Sequence, residues 1–141
     1  MMFATPDDAE RANHEALSQA DLTRLMQVWA DDETVSCIHP GSSLLTGLAA
    51  VHASWKQIFS IGPIHVRPQT PLVIPGHMCE IHVLMEEITV RTLGGIQIKL
   101  CYTTNVYRQG PRGWNMIMHH SSLAPDEAAM PDQPDIPDLL H

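Results

Sequence analysis

The sequence predicts an α+β fold, in which helices near the N-terminus pack inside a curved, mostly antiparallel sheet. Two observations support this class. Apolar residues recur at helical spacing over residues 6–30 and again over 47–61. From Ile64 onward the pattern changes to alternation, which is typical of strands, and glycine or proline pairs separate the alternating runs.

Three helices are predicted. The first begins at Thr5, whose hydroxyl can cap it, and a face of alanines indicates close packing against a sheet. The second begins at Asp21 and runs to Ala30. The third begins at Gly47 and ends before Gly62-Pro63.

Five strands are predicted, a short one at residues 34–39 and four longer ones at 64–74, 77–92, 96–109 and 113–123. In the strand at 77–92 the alternation changes phase, so a β-bulge is expected near Glu86-Glu87. A bent sheet wrapped around helices leaves a cone-shaped cavity, which is the usual place for a ligand.

The length of 141 residues fits one domain, which we predict over residues 1–123. An acidic, proline-rich tail follows at 124–141, with five acids, four prolines and no base. This tail is either a solvated extension or a strap over the domain, anchored by Ile136, Leu139 and Leu140. The formal charge of −8 argues against a nucleic-acid partner.

Composition also limits the compartment and the cofactors. The three cysteines form no motif and lie in apolar contexts, so we predict buried, reduced thiols in a cytoplasmic protein. We see no signal peptide and no apolar run of membrane-spanning length, so no membrane partner is expected. No histidine or cysteine spacing matches a metal site, and we predict neither a metal nor a cofactor.

The order of these segments, with WADDETV, then HPG, and finally GW and HHS, resembles the SnoaL-like branch of the nuclear transport factor 2-like superfamily. The resemblance covers about residues 6–123. It implies a cone-like α+β barrel of the cystatin-like type, often a homodimer packed through the sheet. Members include ketosteroid isomerase, polyketide cyclases, dehydratases, hydrolases and pocket proteins without known chemistry.

Ketosteroid isomerase is the instructive relative. The resemblance places His39-Pro40 where that enzyme has its catalytic Asp and the following Pro, and a neutral histidine can act as a base near pH 7. However, Asn13 and either Thr103 or Thr104 stand where the isomerase has the Tyr and the protonated Asp of its oxyanion hole. Because that stabilisation is usually the larger catalytic effect, no steroid isomerase activity is expected.

His119 and His120 are the other candidate catalytic residues beside His39. Neighbours in a strand point to opposite faces, so only one of the two can face the cavity, and together they cannot bind one metal ion. Strand parity groups His120 with Trp114 and leaves open which group faces inward.

The predicted ligand-binding residues are aromatic or polar and come from several elements: Trp29, Trp55, Tyr102, Asn105 and Trp114. Two hypotheses about function remain open. One is an acid/base enzyme of isomerase, cyclase or hydrolase type, which uses His39 on a small, largely apolar molecule. The other is a non-catalytic, homodimeric association or ligand-binding module.

Overall fold

One mixed sheet of seven strands wraps around three helices in the computed structural model of the protein, which describes residues 2–131. The helices are α1 (Pro6–Gln19), α2 (Leu22–Val28) and α3 (Leu48–Phe59). The strands are β1 (Ser36–Ile38), β2 (Leu45–Thr46), β3 (His65–Pro68), β4 (Leu72–Ile74), β5 (Cys79–Thr92), β6 (Gly95–Gly110) and β7 (Gly113–Leu123). The predicted α+β class is therefore confirmed.

The strands lie in the order β2-β1-β7-β6-β5-β3. Strand β4 pairs with the same edge of β5 as β3 does, at a different part of that strand. Every pairing is antiparallel except the one between β1 and β7. Within the described chain the curved sheet stays open, with β2 at one edge and β3 and β4 at the other. Its concave side receives the helices and forms the cavity described below.

The helices begin where the sequence predicts. The Thr5 hydroxyl accepts a backbone hydrogen bond at the start of α1, and Gly47, with φ of 85°, precedes α3 in a conformation that favours glycine. Helix α2 ends at Val28 rather than at the predicted Ala30. The reason is that the chain turns extended there, and the Ala30 amide donates to the carbonyl of Met116 in β7.

The predicted strand at 64–74 is interrupted. Residues 69–71 separate β3 from β4, and these three residues lie opposite only Leu84 and Met85 of β5. Strand β5 itself keeps one register with β6 from Cys79 to Thr92, so the bulge predicted near Glu86-Glu87 is wrong.

The concave face of β5 explains that error. His82, Leu84 and Glu86 are buried on one face of the strand, and Ile88 and Val90 continue that face along the cavity. The alternation is therefore unbroken, but two of its inward positions are polar. The pattern was misread because apolar side chains at Ile81, Val83 and Met85 occupy the other face.

A bulge does occur in β7. Val106 pairs with Met118 but Tyr107 pairs with Met116, so Ile117 is the extra residue. The bulge shifts the phase of the strand, and Met116 and His119 both lie buried on the concave side. His120 is consequently exposed on the convex side.

The described part of the tail lies on the domain. The Ala124 amide donates to the Leu100 carbonyl at 2.8 Å, and the Tyr102 hydroxyl donates to the Ala129 carbonyl at 3.3 Å. The anchors predicted at Ile136, Leu139 and Leu140 lie outside the described residues.

All three cysteines are free thiols, and Cys37 and Cys101 are buried as predicted. Cys79 is exposed at the start of β5, so the prediction of three buried thiols is wrong at that position. Among the described residues no helix is both long and apolar enough to cross a membrane.

Candidate functional site

A cavity of about 210 Å³ lies between α1, α3 and the concave face of the sheet. Most of its wall is apolar, and its polar and titratable lining residues are Asn13, His39, Glu86, Lys99, Cys101, His119 and Ser121. A larger open groove of about 520 Å³ lies beside residues 68–72, but no histidine or carboxylate lines it. Of these two, the smaller cavity is therefore the better candidate for a chemical site.

His39 stands directly after β1, at the edge of the cavity. Its Nε2 lies 2.6 Å from the Ser54 hydroxyl on α3 and 3.7 Å from the Cys37 sulfur. The ring meets Trp55 edge-on, with 4.8 Å between ring centroids. Burial lowers the pKa of His39 below 6.5, so the imidazole is neutral at pH 7.

His119 is only 8% exposed and reaches the same cavity from β7. Its Nδ1 lies 2.7 Å from Oδ1 of Asn105, whose amide nitrogen points toward Glu10 Oε1 at 3.5 Å. Because Glu10 can only accept, the amide orientation of Asn105 is fixed, and His119 Nδ1 must be the donor. The neutral ring then carries its lone pair on Nε2.

Burial also determines the charge state of His119. It lowers the pKa of this histidine to about 4, against a smaller opposing effect of the nearby Glu86. The ring centroids of His39 and His119 are 6.3 Å apart, and Trp55 contacts both rings. Two neutral histidines thus converge on one apolar cavity.

Glu86 is the functional candidate that the sequence reasoning missed. It is 3% exposed, lines the cavity from β5 and lies 2.9 Å from Nε2 of His14. Burial alone would raise the pKa of Glu86, but hydrogen bonds from His14 and Thr103 hold it below its usual value. The shared parity of Glu86 with Ile88 and Val90 was the signal that could have identified it.

A second polar cluster lies beside the cavity, beneath α1. Glu10 Oε2 is 3.0 Å from His82 Nδ1, and Glu80 Oε2 is 2.6 Å from His82 Nε2. The Tyr107 hydroxyl donates to Glu10 Oε1 at 3.1 Å. Burial opposes the charged form of His82, but Glu10 and Glu80 outweigh it and raise the pKa of His82 to about 9.

The two clusters share Asn105, which contacts both Glu10 and His119. The charged histidine and the neutral one therefore belong to one buried network. Neither Glu10 nor His82 was a sequence candidate, because carboxylates and histidines in amphipathic elements are ordinarily assigned to the solvent side.

The predicted site residues are only partly brought together. His39, His119 and Trp55 line the cavity, and Asn105 stands directly behind His119. Trp29 and Trp114 are buried in the apolar core instead. Tyr102 bonds the tail, and His120 is exposed, so neither shares the cavity with His119.

Asp7, Glu80 and His82 form the only described grouping with metal-ligand side chains close together, within 4.8 Å of one another. An ion pair accounts for this grouping. A histidine must offer a lone pair to bind a metal, whereas His82 Nε2 is held by the Glu80 carboxylate and the ring is charged. The structure therefore assigns no metal to it.

Comparison with known families gives one clear match. The model of the SnoaL-like domain matches residues 8–127. No curated protein matches the chain.

Solved structures agree with this match. A provisionally named calcium/calmodulin-dependent protein kinase type II association domain from Thiobacillus denitrificans is 33% identical, with a TM-score of 0.76 over 89% of this chain and 99% of its own. A provisionally named dehydratase of the NTF2-like family from Streptomyces avermitilis is 27% identical, with a TM-score of 0.75 over 85% and 99%. A provisionally named ketosteroid isomerase from Parabacteroides distasonis, 19% identical with a TM-score of 0.69 over 86% and 89%, shares the fold.

Proposed function

The chain belongs to the family of SnoaL-like domains, and on this premise we propose that it binds a small, largely apolar organic molecule and moves a proton there with His39. One observation carries the proposal. Two neutral histidines, His39 from the loop after β1 and His119 from β7, face a cavity whose wall is otherwise mostly apolar. A neutral imidazole at pH 7 can take a proton without prior deprotonation.

The two histidines have different roles in this proposal. His39 is half-buried at the cavity edge and its pKa lies below 6.5, so it serves as the proton acceptor. The pKa of His119, about 4, makes it a weaker base. Its oriented Nε2 lone pair instead accepts a hydrogen bond from the ligand and fixes the ligand beside His39.

The cavity also limits the reaction. At about 210 Å³ it is smaller than the roughly 300–1,000 Å³ that drug-sized ligands occupy. The Thr103 hydroxyl lies 3.0 Å from that of Ser121 and is outside the cavity lining, so it does not supply an oxyanion hole there. We therefore expect a substrate smaller than a steroid. The expected reaction is of isomerase, cyclase or hydrolase type.

His39→Ala is expected to leave ligand affinity within about threefold of wild type and to reduce turnover by about 100-fold or more. The ligand is identified as a co-purifying small molecule by native mass spectrometry, and its conversion is then followed by chromatography. His120→Ala is the matched control, because that histidine is exposed outside the cavity, and it should retain wild-type turnover. Unchanged conversion by His39→Ala contradicts the role of His39.

A second candidate function is homomeric association, supported by the convex face of the sheet. Ile96 and Ile98 are 69% and 67% exposed there, more apolar surface than a strand facing water ordinarily presents. The 33% identical relative is itself named as an association domain. We propose a homodimer packed through this face, in the reducing cytoplasm that its free thiols suit.

Light scattering after gel filtration should give a mass of about twice 15.7 kDa for the wild type. Ile98→Glu should shift the population toward the single chain, because it places a charge in the apolar contact. Leu44→Glu, at an exposed leucine just before β2 at the opposite edge of the sheet, is the control and should leave the dimer intact. A wild-type species of 15.7 kDa would contradict the dimer.

A further inference from the structure

We propose that Glu86 sets the ligand class of the cavity: a small, largely apolar molecule with an N–H or O–H donor, held most tightly when that donor is cationic. The inference rests on the proposed ligand-binding function and extends it. It concerns which ligand enters, whereas the role of His39 concerns what happens to the ligand afterwards.

The Glu86 carboxylate is buried in an apolar part of the cavity wall. Glu86 lines the cavity among Ile88, Val90 and Val66, and only 5% of its side chain is exposed. A carboxylate in such surroundings must be compensated by hydrogen bonds or by opposite charge, because burial of an unpaired charge is costly. The structure supplies part of this compensation through His14 and Thr103.

Glu86 keeps the capacity to accept further hydrogen bonds from a ligand. An ionised carboxylate has two oxygens with about four lone-pair sites and can only accept hydrogen bonds. His14 and Thr103 occupy part of that capacity. A ligand donor entering the cavity can therefore bond to Glu86, and a ligand of the same shape without a donor cannot.

The charge around the cavity is negative near Glu86. His39 and His119 are neutral at pH 7, and burial raises the pKa of the Cys101 thiol, so these three groups add no charge. Lys99 is an exposed lining residue and is screened by water. Among the lining residues the buried charge is thus that of Glu86, and its ion-pair partner His14, which lies outside the lining, offsets that charge in part. The charge that remains favours cations and repels ligand carboxylates.

The alternative is that Glu86 has a purely structural role. Glu86 ties α1 to β5 through His14, and that contact alone would explain the burial of Glu86. Such a role predicts no discrimination between ligands of different charge. The decisive readout is therefore selectivity rather than stability.

The experiment uses four probes of one shape: benzylamine, benzyl alcohol, toluene and benzoate. Binding is followed by two-dimensional NMR of ¹⁵N-labelled full-length protein, with the Trp55 indole N–H as the cavity reporter. We expect benzylamine to bind about tenfold or more tightly than benzoate. Benzyl alcohol should bind more tightly than toluene, because a hydrogen bond to a charged group contributes more than a neutral one.

Glu86→Gln should bring benzylamine and benzoate to within about threefold of each other, because the charge is removed while the size is kept. Glu87→Gln is the matched control, since that neighbour is exposed on the opposite face, and it should keep the wild-type order. If Glu86→Gln does not fold, the wild-type probe series alone decides.

Two results would overturn the inference in different ways. Benzoate binding as tightly as benzylamine, or a ratio unchanged in Glu86→Gln, removes the role of Glu86 and leaves the cavity as a ligand site. Absence of any shift at Trp55 with all four probes overturns the inference and the proposed ligand-binding function together.

Discussion

Replacing Glu10 by alanine is expected to destabilise the protein by about 3–5 kcal/mol. Glu10 is buried on α1 and accepts the Tyr107 hydroxyl while it lies against the His82 imidazolium. Truncation leaves the buried Tyr107 hydroxyl without its acceptor and leaves the His82 imidazolium with Glu80 as its remaining close counter-ion. Removing one member of a buried pair costs far more than breaking a surface pair.

Glu15→Ala on the same helix is the matched control. Glu15 pairs with Arg24 at 2.7 Å, but both side chains are about a third exposed or more, so the loss should stay below about 1 kcal/mol. Urea unfolding followed by circular dichroism measures both variants. If Glu10→Ala and Glu15→Ala lose the same free energy, Glu10 does not hold the buried network.

The free energy of unfolding should have its maximum near pH 6.5 and fall on both sides. His82 has a folded pKa of about 9, above its unfolded value, so its contribution is complete below pH 6.5 and is lost as pH rises through 9. His119 has a folded pKa of about 4, below its unfolded value, so stability is lost as pH falls from 6.5 to 4. Each limb should amount to about 3 kcal/mol.

Denaturant midpoints measured between pH 4 and 9.5 test this shape. His82→Gln should flatten the alkaline limb and leave the acid limb in place. His119→Gln should reduce the acid limb, to which His39 also contributes, and leave the alkaline limb in place. His52→Gln, at an exposed position of α3, should change neither limb. A stability that keeps rising up to pH 9 would contradict the charged state of His82.

Much of the fold follows from local patterns in the sequence. The capping Thr5, the glycine at Gly47 and the loop after β1 are determined by neighbouring residues, so they were predicted close to where they occur. The placement of His39 beside the cavity follows from the same local signals. The helix spacing likewise placed Trp55 on the buried face of α3.

The polar interior could not be read in the same way. In an alternating strand pattern, polar residues are assigned to the face exposed to solvent. His82 and Glu86 instead lie on the buried face, because α1 supplies Glu10 and His14 as their partners. Such pairs join residues about seventy positions apart, and no local pattern records them. The choice between His119 and His120 depended on one extra residue, Ile117, in the pairing of two strands.

His119 presents a neutral, oriented lone pair to the cavity while His82 in the same network is charged. A pH titration of the histidine side chains by ¹H–¹⁵N NMR tests it directly, with Asn105→Ala to confirm the source of the orientation. We expect His119 to show a protonated Nδ1 and an unprotonated Nε2 from pH 5 to 8, titrating near its pKa of about 4, while His82 stays doubly protonated up to about pH 8. Titration of both histidines near pH 6.5, with a protonated Nε2 on His119, would contradict the claim.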